Sequence, residues 1–287
     1  IIGIRSLSMT QIIKSILSIA SNYDAIVFDQ WGVLHDGNAP YEGAIDCLLN
    51  LSKCNLKLAV ISNSGKRSEP NEKRIASMGF DTSLFKSIIT SGEALWQDIA
   101  NGVINKKYFF PIERNAKDAK AWAKGLNILF EDSIYSSQAI LLMGLPDGDI
   151  LEDWEETLVQ ALKLKIPLYC SNPDLLSPRP GGKLITAAGT LAHYYRKCGG
   201  EVTFYGKPHK QIFLSLENTL KVGRLLMVGD SLQHDILGGH KVGWDTLLVQ
   251  TGIHAAEFAH SDQAVILKSM IKQKKCEPPT FLIERVK

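Results

Sequence analysis

The sequence has little cysteine, no long apolar run and almost no net charge. Only five of its 287 residues are cysteine, an odd number, and none of them forms a Cys-x-x-Cys pair. This usage argues against a disulfide framework and against a zinc site, and it favours a reducing compartment. The longest apolar stretches fall well short of a membrane span. With 32 basic and 30 acidic residues, the net charge of +2 gives no reason to expect a nucleic-acid or membrane partner. We therefore expect a cytoplasmic protein.

Apolar runs of strand length alternate with segments of helical periodicity along much of the chain. The length suffices for two domains, and 45% hydrophobic with 22% charged residues is typical of a globular protein. The alternation predicts an α/β fold with a doubly wound, Rossmann-like parallel sheet. The predicted strands are residues 25–28, 56–61, 202–205, 225–228 and 246–249. The predicted helices are residues 9–20, which are amphipathic, 44–53, 71–78, a segment from 211, and 236–241. The remaining C-terminal residues are expected to be solvated surface.

A second unit is predicted between about residues 92 and 200. It has its own predicted strands at 139–143 and 167–170 and its own helices at 117–124 and 154–164. Residues 1–91 and 201–287 would then form one domain, with 92–200 inserted as another α/β domain. The density of Pro and Gly in residues 172–182 predicts a shaped loop, and its Asn, Asp and Arg content favours a binding role.

Polar side chains follow several predicted strands at their carboxyl ends, where open α/β sheets bind ligands. These residues are Asp29, Ser62, Asn63, Lys207, Asp230 and Asp235. Carboxylate oxygens are the ligands that Mg²⁺ requires, while lysine, hydroxyl and amide groups hold phosphate oxygens. A carboxylate such as Asp29 can attack a bound phosphorus, and a cation offsets the repulsion between them. The pattern predicts a site for a phosphorylated compound and a hard cation.

Five of these six residues also have an ordinary structural explanation. Asp29 can cap the turn after its strand, and Ser62-Asn63 can cap a helix. Lys207 can be a surface lysine, and Asp235 can be the N-cap of a helix that begins at Ile236. Each signal is weak alone, but their order and their common placement at strand ends favour a site.

The same segments resemble the motifs of the haloacid dehalogenase superfamily. The resemblance is to its class with a large α/β cap, the p-nitrophenyl-phosphatase-like phosphatases, and it covers nearly the whole chain. The matching segments are Phe28-Asp29-Gln30-Trp31-Gly32-Val33-Leu34, Ile61-Ser62-Asn63-Ser64, Gly206-Lys207-Pro208 and Val228-Gly229-Asp230-Ser231-Leu232-Gln233-His234-Asp235-Ile236.

The resemblance implies a role for each matching residue. Asp29 is implied as the nucleophile, and Lys207 as the residue that steadies both the nucleophile and the phosphate. The implied Mg²⁺ site consists of Asp29, Asp230, Asp235 and the backbone carbonyl of Trp31. The implied phosphate contacts are Gln30, Trp31, Ser62, Asn63, Ser64 and Lys207.

The second unit is implied to be the cap. Its segments Ser171-Asn172-Pro173-Asp174 and Pro180-Gly181-Gly182 resemble the cap signature of that class. The cap is expected to close over the site and to select the substrate, with Asp174 and Arg179 as the candidate contacts. Because large-cap members often pair through their caps, a homodimer is also expected.

Trp31 departs from the family pattern. Family phosphatases usually have a second Asp there, which protonates the leaving group and then activates water. An indole N–H does not exchange a proton near neutral pH, so this acid–base function is missing. His35 and Asp36 are close enough in sequence to be considered as substitutes.

The leading hypothesis is a Mg²⁺-dependent phosphomonoesterase that acts on a small phosphorylated metabolite and is slow because of Trp31. One alternative is a catalytically impaired phosphate-binding or regulatory protein, which the same residue favours. Another is haloalkanoate dehalogenation, which needs no metal, so that Asp230 and Asp235 argue against it.

Overall fold

The computed structural model describes residues 10–178, 184–259 and 262–287, and the chain divides into two compact units. The first unit takes the described residues up to Ser62, together with Glu72–Ile89 and Lys207–Lys287. The second unit takes Asn63–Asn71 and Thr90–Gly206. Residues 63–71, 90–91 and 201–206 thus go with the second unit, unlike the predicted boundaries. That the units are a catalytic core and a cap stays a prediction.

The strands and helices follow one another in alternation through both units. The strands are β1 (Gln11–Ile12), β2 (Ala25–Phe28), β3 (Lys57–Ser62), β4 (Phe85–Thr90), β5 (Tyr108–Ile112), β6 (Leu129–Phe130), β7 (Ala139–Leu142), β8 (Leu168–Cys170), β9 (Leu176–Pro178), β10 (Leu184–Thr186), β11 (Val202–Phe204), β12 (Leu225–Gly229), β13 (Asp245–Val249) and β14 (Phe281–Ile283). The α-helices are α1 (Ala44–Leu51), α2 (Ser68–Ser77), α3 (Ser91–Ala100), α4 (Asp118–Trp122), α5 (Glu155–Lys163), α6 (Ala188–Lys197), α7 (Lys210–Leu220), α8 (Leu237–Lys241), α9 (Ala255–Phe258) and α10 (Gln263–Lys274).

The first unit is built on a seven-stranded sheet with the order β1-β14-β13-β12-β2-β3-β4. Strands β2 and β12 lie at its centre and pair in parallel, with Ala25 opposite Leu225 and Phe28 opposite Val228. Every residue of β2 and β12 is buried, as expected for strands of a parallel sheet covered on both faces. Because β2, β3 and β12 run in parallel, their carboxyl ends lie at one edge of the sheet. The predicted α/β fold is confirmed.

The second unit has its own parallel sheet, with the order β11-β8-β7-β5-β6. A separate core packs around this sheet and includes Ile140, Leu158, Leu168 and Tyr195. Strand β11 belongs to this sheet because it pairs in parallel with β8. Of the segment predicted as a shaped loop, 172–182, residues 176–178 form strand β9, which pairs antiparallel with β10, and residues 179–182 lie outside the described residues.

The prediction of a helix over residues 9–20 is wrong for the described residues. Gln11 and Ile13 donate their backbone N–H groups to β14, at 3.0 and 2.9 Å, instead of forming a helical ladder. Two short 3₁₀ turns, Ile16–Ser18 and Ala20–Asn22, follow. They bury Ile16, so the apolar periodicity reflects burial and not an α-helix.

The expectation of solvated surface after the last predicted strand is also wrong. Helix α10 buries Leu267 and Met270 through one side, and β14 adds three buried residues to the first sheet. Six of the twelve residues of α10 are apolar, but only Leu267 and Met270 are buried, so the sequence shows no clear apolar face. Strands β4 and β5 were likewise not predicted from the sequence.

The five cysteines are all free thiols, and Cys47 and Cys170 are buried. Burial raises the pKa of each of these two thiols to about 12, so both stay protonated near neutral pH. Among the helices that the structure describes, none combines the length and the apolar character needed to cross a membrane.

Candidate active site

The end of β2 places Asp29 against a buried lysine. Its backbone N–H continues the sheet by donating to Val228 O at 2.9 Å. Its carboxylate Oδ1 lies 2.7 Å from Lys207 Nζ, and the Lys207 side chain is only 3% exposed. Asp29 itself is 16% exposed. The partly accessible carboxylate of Asp29 thus lies at the edge of the sheet, in contact with the buried ammonium of Lys207.

Asp235 binds the same lysine from the other side. Its Oδ1 lies 2.7 Å from Lys207 Nζ, and its Oδ2 accepts the backbone N–H of Ser231 at 3.1 Å. The suggested N-cap role of Asp235 is wrong, because Asp235 lies inside a π-helical turn, Leu232–Ile236, that precedes α8. Ser231 caps that turn by accepting the N–H of His234. Asp235 is fully buried and does not cap a helix. Its carboxylate instead orients the Lys207 ammonium.

Asp230 completes a cluster of three carboxylates. It follows β12, it is 3% exposed, and one oxygen from each of Asp29, Asp230 and Asp235 lies within 4.8 Å of the others. Burial, then Asp235 and Asp29, raise the pKa of Asp230 to about 8. Burial raises the pKa of Asp29 to about 6 against the opposing effect of Lys207. Burial disfavours the Lys207 ammonium, but Asp235 and Asp29 outweigh it and hold the pKa of Lys207 above its usual range.

This cluster fits a divalent cation by charge and by donor chemistry. When ionised, three carboxylates face one ammonium, which leaves an excess of negative charge in a buried place. Oxygen-only donors are those that hard cations such as Mg²⁺ take. Burial is the largest cause of the raised pKa values of Asp29 and Asp230, and the neighbouring carboxylates add to it.

A loop that the sequence did not indicate encloses Asp230. Ile253 donates its backbone N–H to Asp230 Oδ2 at 2.9 Å, and Thr251 Oγ1 donates to Gly32 O at 2.6 Å. Gly32 and Gly252 both have positive φ angles, +83° and +72°, and a Cβ on either would overlap the Asp230 carboxylate. The available signal was Thr251-Gly252 itself, a polar residue and a glycine two residues after the end of β13.

Trp31 and its neighbours form a tight turn after Asp29. The Gln30 carbonyl accepts the N–H groups of Val33, Leu34 and His35, which curls the chain. Gln30 is buried, and its side-chain Nε2 has no hydrogen-bond partner among the described residues. The Trp31 side chain is 49% exposed. The first motif therefore places the solvent-exposed indole of Trp31 next to the buried side-chain amide of Gln30.

His35 and Asp36, the suggested replacements for the missing acid, have other partners. His35 is fully buried, and its Nδ1 accepts the N–H of Gly37 at 3.0 Å. Burial is the largest cause that lowers the pKa of His35 to about 4. Asp36 accepts the N–H groups of Asn38 and Ala39, both at 2.8 Å, and these bonds hold its pKa below the usual range.

The remaining predicted residues are divided between the units. Ser62 ends β3 in the first unit, at the edge of the sheet where Asp29 lies. Asn63 and Ser64 belong to the second unit, where Asn63 Nδ2 donates to Asp174 Oδ1 at 3.0 Å. The predicted contact Arg179 lies outside the described residues.

The second unit also contains a cavity of about 440 Å³. It opens near the carboxyl ends of β5, β7 and β8, and Lys66, Arg114 and Asn172 contribute to its polar lining. Trp122 and Leu145 add apolar surface. Its volume is in the range of small-molecule sites.

Comparison with known proteins identifies the family. A family model described as haloacid dehalogenase-like hydrolase matches residues 26–138, and a second, described as HAD-hydrolase-like, matches residues 204–270. Chronophin from Bos taurus is 27% identical over 248 residues, which cover 82% of this chain and 84% of chronophin. The acid sugar phosphatase of Staphylococcus saprophyticus is 26% identical over 268 residues, which cover 91% of this chain and 94% of that protein.

Solved structures give the same answer. A haloacid dehalogenase-like hydrolase from Brucella suis matches with a TM-score of 0.76 and 25% identity, covering 96% of this chain and 100% of that one. The chain belongs to the haloacid dehalogenase-like hydrolases, and the predicted family is confirmed. Within that family, its similarity is to phosphatases.

Proposed function

We propose that this protein is a Mg²⁺-dependent phosphomonoesterase that works through an aspartyl-phosphate on Asp29. The observation that carries the proposal is the buried Lys207, which holds Asp29 and Asp235 at 2.7 Å each with Asp230 beside them. A surface lysine or a turn-capping aspartate has no need of this arrangement. The same observation argues against the dehalogenase alternative, which requires no metal carboxylates.

The first chemical step is attack on phosphorus by the free carboxylate oxygen of Asp29. A bond forms between that oxygen and phosphorus while the bond from phosphorus to the leaving oxygen breaks. The leaving group departs with the electron pair and takes its proton from water. Lys207 keeps the carboxylate oriented and offsets part of the charge that builds on the phosphoryl oxygens.

The second step returns the enzyme to its starting state. Water attacks the phosphorus of the aspartyl-phosphate, the acyl–phosphate bond breaks, and Asp29 is released as a carboxylate with inorganic phosphate as product. No ionisable side chain stands at position 31 to remove the proton from this water. Hydrolysis of the intermediate is therefore the slow step.

Asp29, Asp230 and the Trp31 carbonyl would hold the Mg²⁺, with Asp235 supporting its water ligands. When bound, the ion supplies positive charge that offsets the repulsion between the Asp29 carboxylate and the phosphate dianion. Gln30, Trp31, Ser62, Asn63 and Ser64 remain the proposed phosphate contacts. Asp174, which accepts a hydrogen bond from Asn63 Nδ2, remains a proposed substrate contact.

Neither His35 nor Asp36 replaces the missing acid in this mechanism. A histidine with a pKa of about 4 is neutral at pH 7, and its Nδ1 is occupied by Gly37. Asp36 is an ionised turn cap. Substrates with good leaving groups, such as aryl or acyl phosphates, should lose least in the first step, because their departure needs no proton.

The proposed substrate is a small phosphorylated metabolite. The similar proteins are named acid sugar phosphatase, glycerol-3-phosphate phosphatase and dihydroxyacetone phosphatase, which supports this class. We propose a cytoplasmic location and no nucleic-acid or membrane partner. A homodimer formed through the second unit stays a prediction.

A second candidate function is a phosphate-ligand-binding or regulatory protein with little turnover. Trp31 favours it, because an enzyme without its acid–base group loses about 10²–10⁴ in rate. The two candidates share the ligand and the cation and differ only in turnover.

Phosphate release from p-nitrophenyl phosphate, with Mg²⁺ and with chelator, tests the proposal. We expect Mg²⁺-dependent release that is abolished in Asp29→Asn, which keeps the shape of the side chain without its nucleophilic charge. Acid quenching during turnover should trap phosphate on Asp29. A folded wild type with no release above Asp29→Asn, on this and on a panel of phosphate esters, would favour the binding function.

A further inference from the structure

One carboxylate oxygen of Asp230 is already used by the protein. Asp230 Oδ2 accepts the backbone N–H of Ile253 at 2.9 Å. The Cα atoms of two glycines also pack around this oxygen, because a Cβ on either Gly32 or Gly252 would overlap it. These contacts crowd Oδ2 and favour the second oxygen, Oδ1, as the one that binds a cation.

The two glycines belong to different loops that are tied together. A Cβ on Gly252 would lie 2.7 Å from Gly32 Cα, which shows how closely the backbones approach. Thr251 Oγ1 fastens them by donating to Gly32 O at 2.6 Å. Gly32 lies three residues after Asp29, so this contact connects the nucleophile's turn to the loop that holds Asp230.

The number of available oxygens affects which cation fits. Mg²⁺ demands near-octahedral geometry with single oxygens at about 2.0–2.1 Å. Ca²⁺ takes 6–8 oxygens at about 2.3–2.6 Å and readily uses both oxygens of one carboxylate. A carboxylate restricted to one oxygen therefore suits Mg²⁺ better than Ca²⁺.

We infer that Thr251, Gly252 and Ile253, together with Gly32, form a clamp that presents Asp230 to the cation through one oxygen and so selects Mg²⁺ over Ca²⁺. The inference rests on the proposed function, in which Asp230 is a cation ligand. These four residues act through Asp230 and are positioning residues. Partners that orient metal ligands are typically worth about 10–100-fold in metal affinity.

Gly252→Ala tests the clamp, and Gly243→Ala is its matched control. Both glycines have positive φ, +72° and +82°, so both substitutions carry the same backbone strain. Only the Cβ on Gly252 meets Asp230, since nothing lies within 4 Å of a Cβ on Gly243. Thr251→Val, which is isosteric, removes the fastening hydrogen bond and places no atom on Asp230. Thr251→Ser, which keeps the hydroxyl group, should keep this hydrogen bond.

The measurement is calorimetric titration of the metal-free proteins with Mg²⁺ alone and with Ca²⁺ alone. We expect Gly252→Ala to lose about 10–100-fold in Mg²⁺ affinity, with a smaller loss for Ca²⁺, and Gly243→Ala to bind both as the wild type does. Thr251→Val should shift the ratio of the Mg²⁺ and Ca²⁺ affinities in the same direction. Thr251→Ser should bring this ratio back to the wild-type value.

Equal affinities in Gly252→Ala and Gly243→Ala, or equal losses for the two cations, would overturn the clamp and leave the phosphatase proposal intact. A wild type that binds neither cation would overturn both. A wild type with the expected binding pattern that releases no phosphate from any ester would support the clamp and contradict the phosphatase proposal.

Discussion

Lys207 Nζ lies 2.7 Å from Asp29 Oδ1, in a position where the lysine is 3% exposed and the aspartate keeps a window to solvent. The ammonium therefore has no role as a solvated surface charge. The Lys207 ammonium also forms an ion pair with Asp235, which is fully buried. Of Asp29, Lys207 and Asp235, Asp29 is therefore the residue that a ligand can reach.

Lys207→Met should destabilise the protein strongly. The substitution leaves Asp29 and Asp235 buried without their counter-charge, and breaking a buried ion pair from one side costs about 3–5 kcal/mol. Urea unfolding at pH 7 in chelator measures the loss. Lys86→Met, at an exposed lysine on β4, is the control and should change the free energy of unfolding by less than about 0.5 kcal/mol. Equal stabilities of the two variants would contradict the buried pairing.

Without metal, the protein should become less stable as the pH rises from 6.5 to 8. The folded-state pKa of Asp230 is raised from 3.8 to about 8, so the folded state holds a proton that the unfolded state has lost. That contribution is complete below pH 4 and disappears as the pH passes 8. Melting temperatures measured in chelator between pH 6.5 and pH 8 test this loss of stability. A melting temperature that rises with pH would refute it.

Mg²⁺ should reverse this trend. Because the cation binds ionised carboxylates, it stabilises more at pH 8 than at pH 6.5, where protons compete with it. Asp230→Asn should remove most of the Mg²⁺ effect on the melting temperature. An unchanged Mg²⁺ response in this variant would exclude Asp230 as a ligand.

Trp31→Asp should raise turnover of an alkyl phosphate by about 10²–10⁴, since it supplies the missing acid–base group. The matched control is Trp31→Asn, which opens the same space without an ionisable proton. Steady-state rates with glycerol phosphate decide between them. The gain in kcat/KM, which reports the first step, should be smaller for p-nitrophenyl phosphate than for glycerol phosphate, because the nitrophenolate leaving group needs no proton. A similar gain in both variants would instead mean that the indole obstructs the site.

Acidification from pH 6.5 to pH 4 should cost the folded state stability through His35. Its folded-state pKa is depressed from 6.5 to about 4, so the unfolded chain takes up a proton that the folded chain does not. The stability is present above pH 6.5, and about 3 kcal/mol is lost by pH 4. Urea unfolding of wild type and His35→Gln over this range isolates the contribution. Parallel pH profiles for the two proteins would count against a buried neutral imidazole.

The sequence predicted the centre of the first unit because buried parallel strands are continuous apolar runs with polar residues at their ends. Residues 25–28 coincide with β2, and Asp29 and Asp230 meet as their positions after β2 and β12 indicate. Lys207 contacts Asp29 although the strand before it, β11, belongs to the second sheet. The sequence did not predict the neighbours of Asp230, since backbone N–H donors such as that of Ile253 have no signature in residue type.

The errors at the chain's outer elements have a different physical origin. Apolar residues such as Ile13 and Ile16 recur at a spacing of three, which fits both an α-helix and a 3₁₀ turn. Pairing of Gln11 with Phe281 decides between them, and that partner is far away in the chain. Likewise, β11 joins the second sheet through its pairing with β8, which no local pattern reveals.

The pairing of Ala25 with Leu225 has a consequence for biosynthesis. Strand β2 leaves the ribosome 200 residues before its central partner β12. At about 5–20 residues per second, this means about 10–40 s with one apolar edge unpaired. Such an interval favours misassociation and calls for chaperone protection, and its length is set mainly by the second unit.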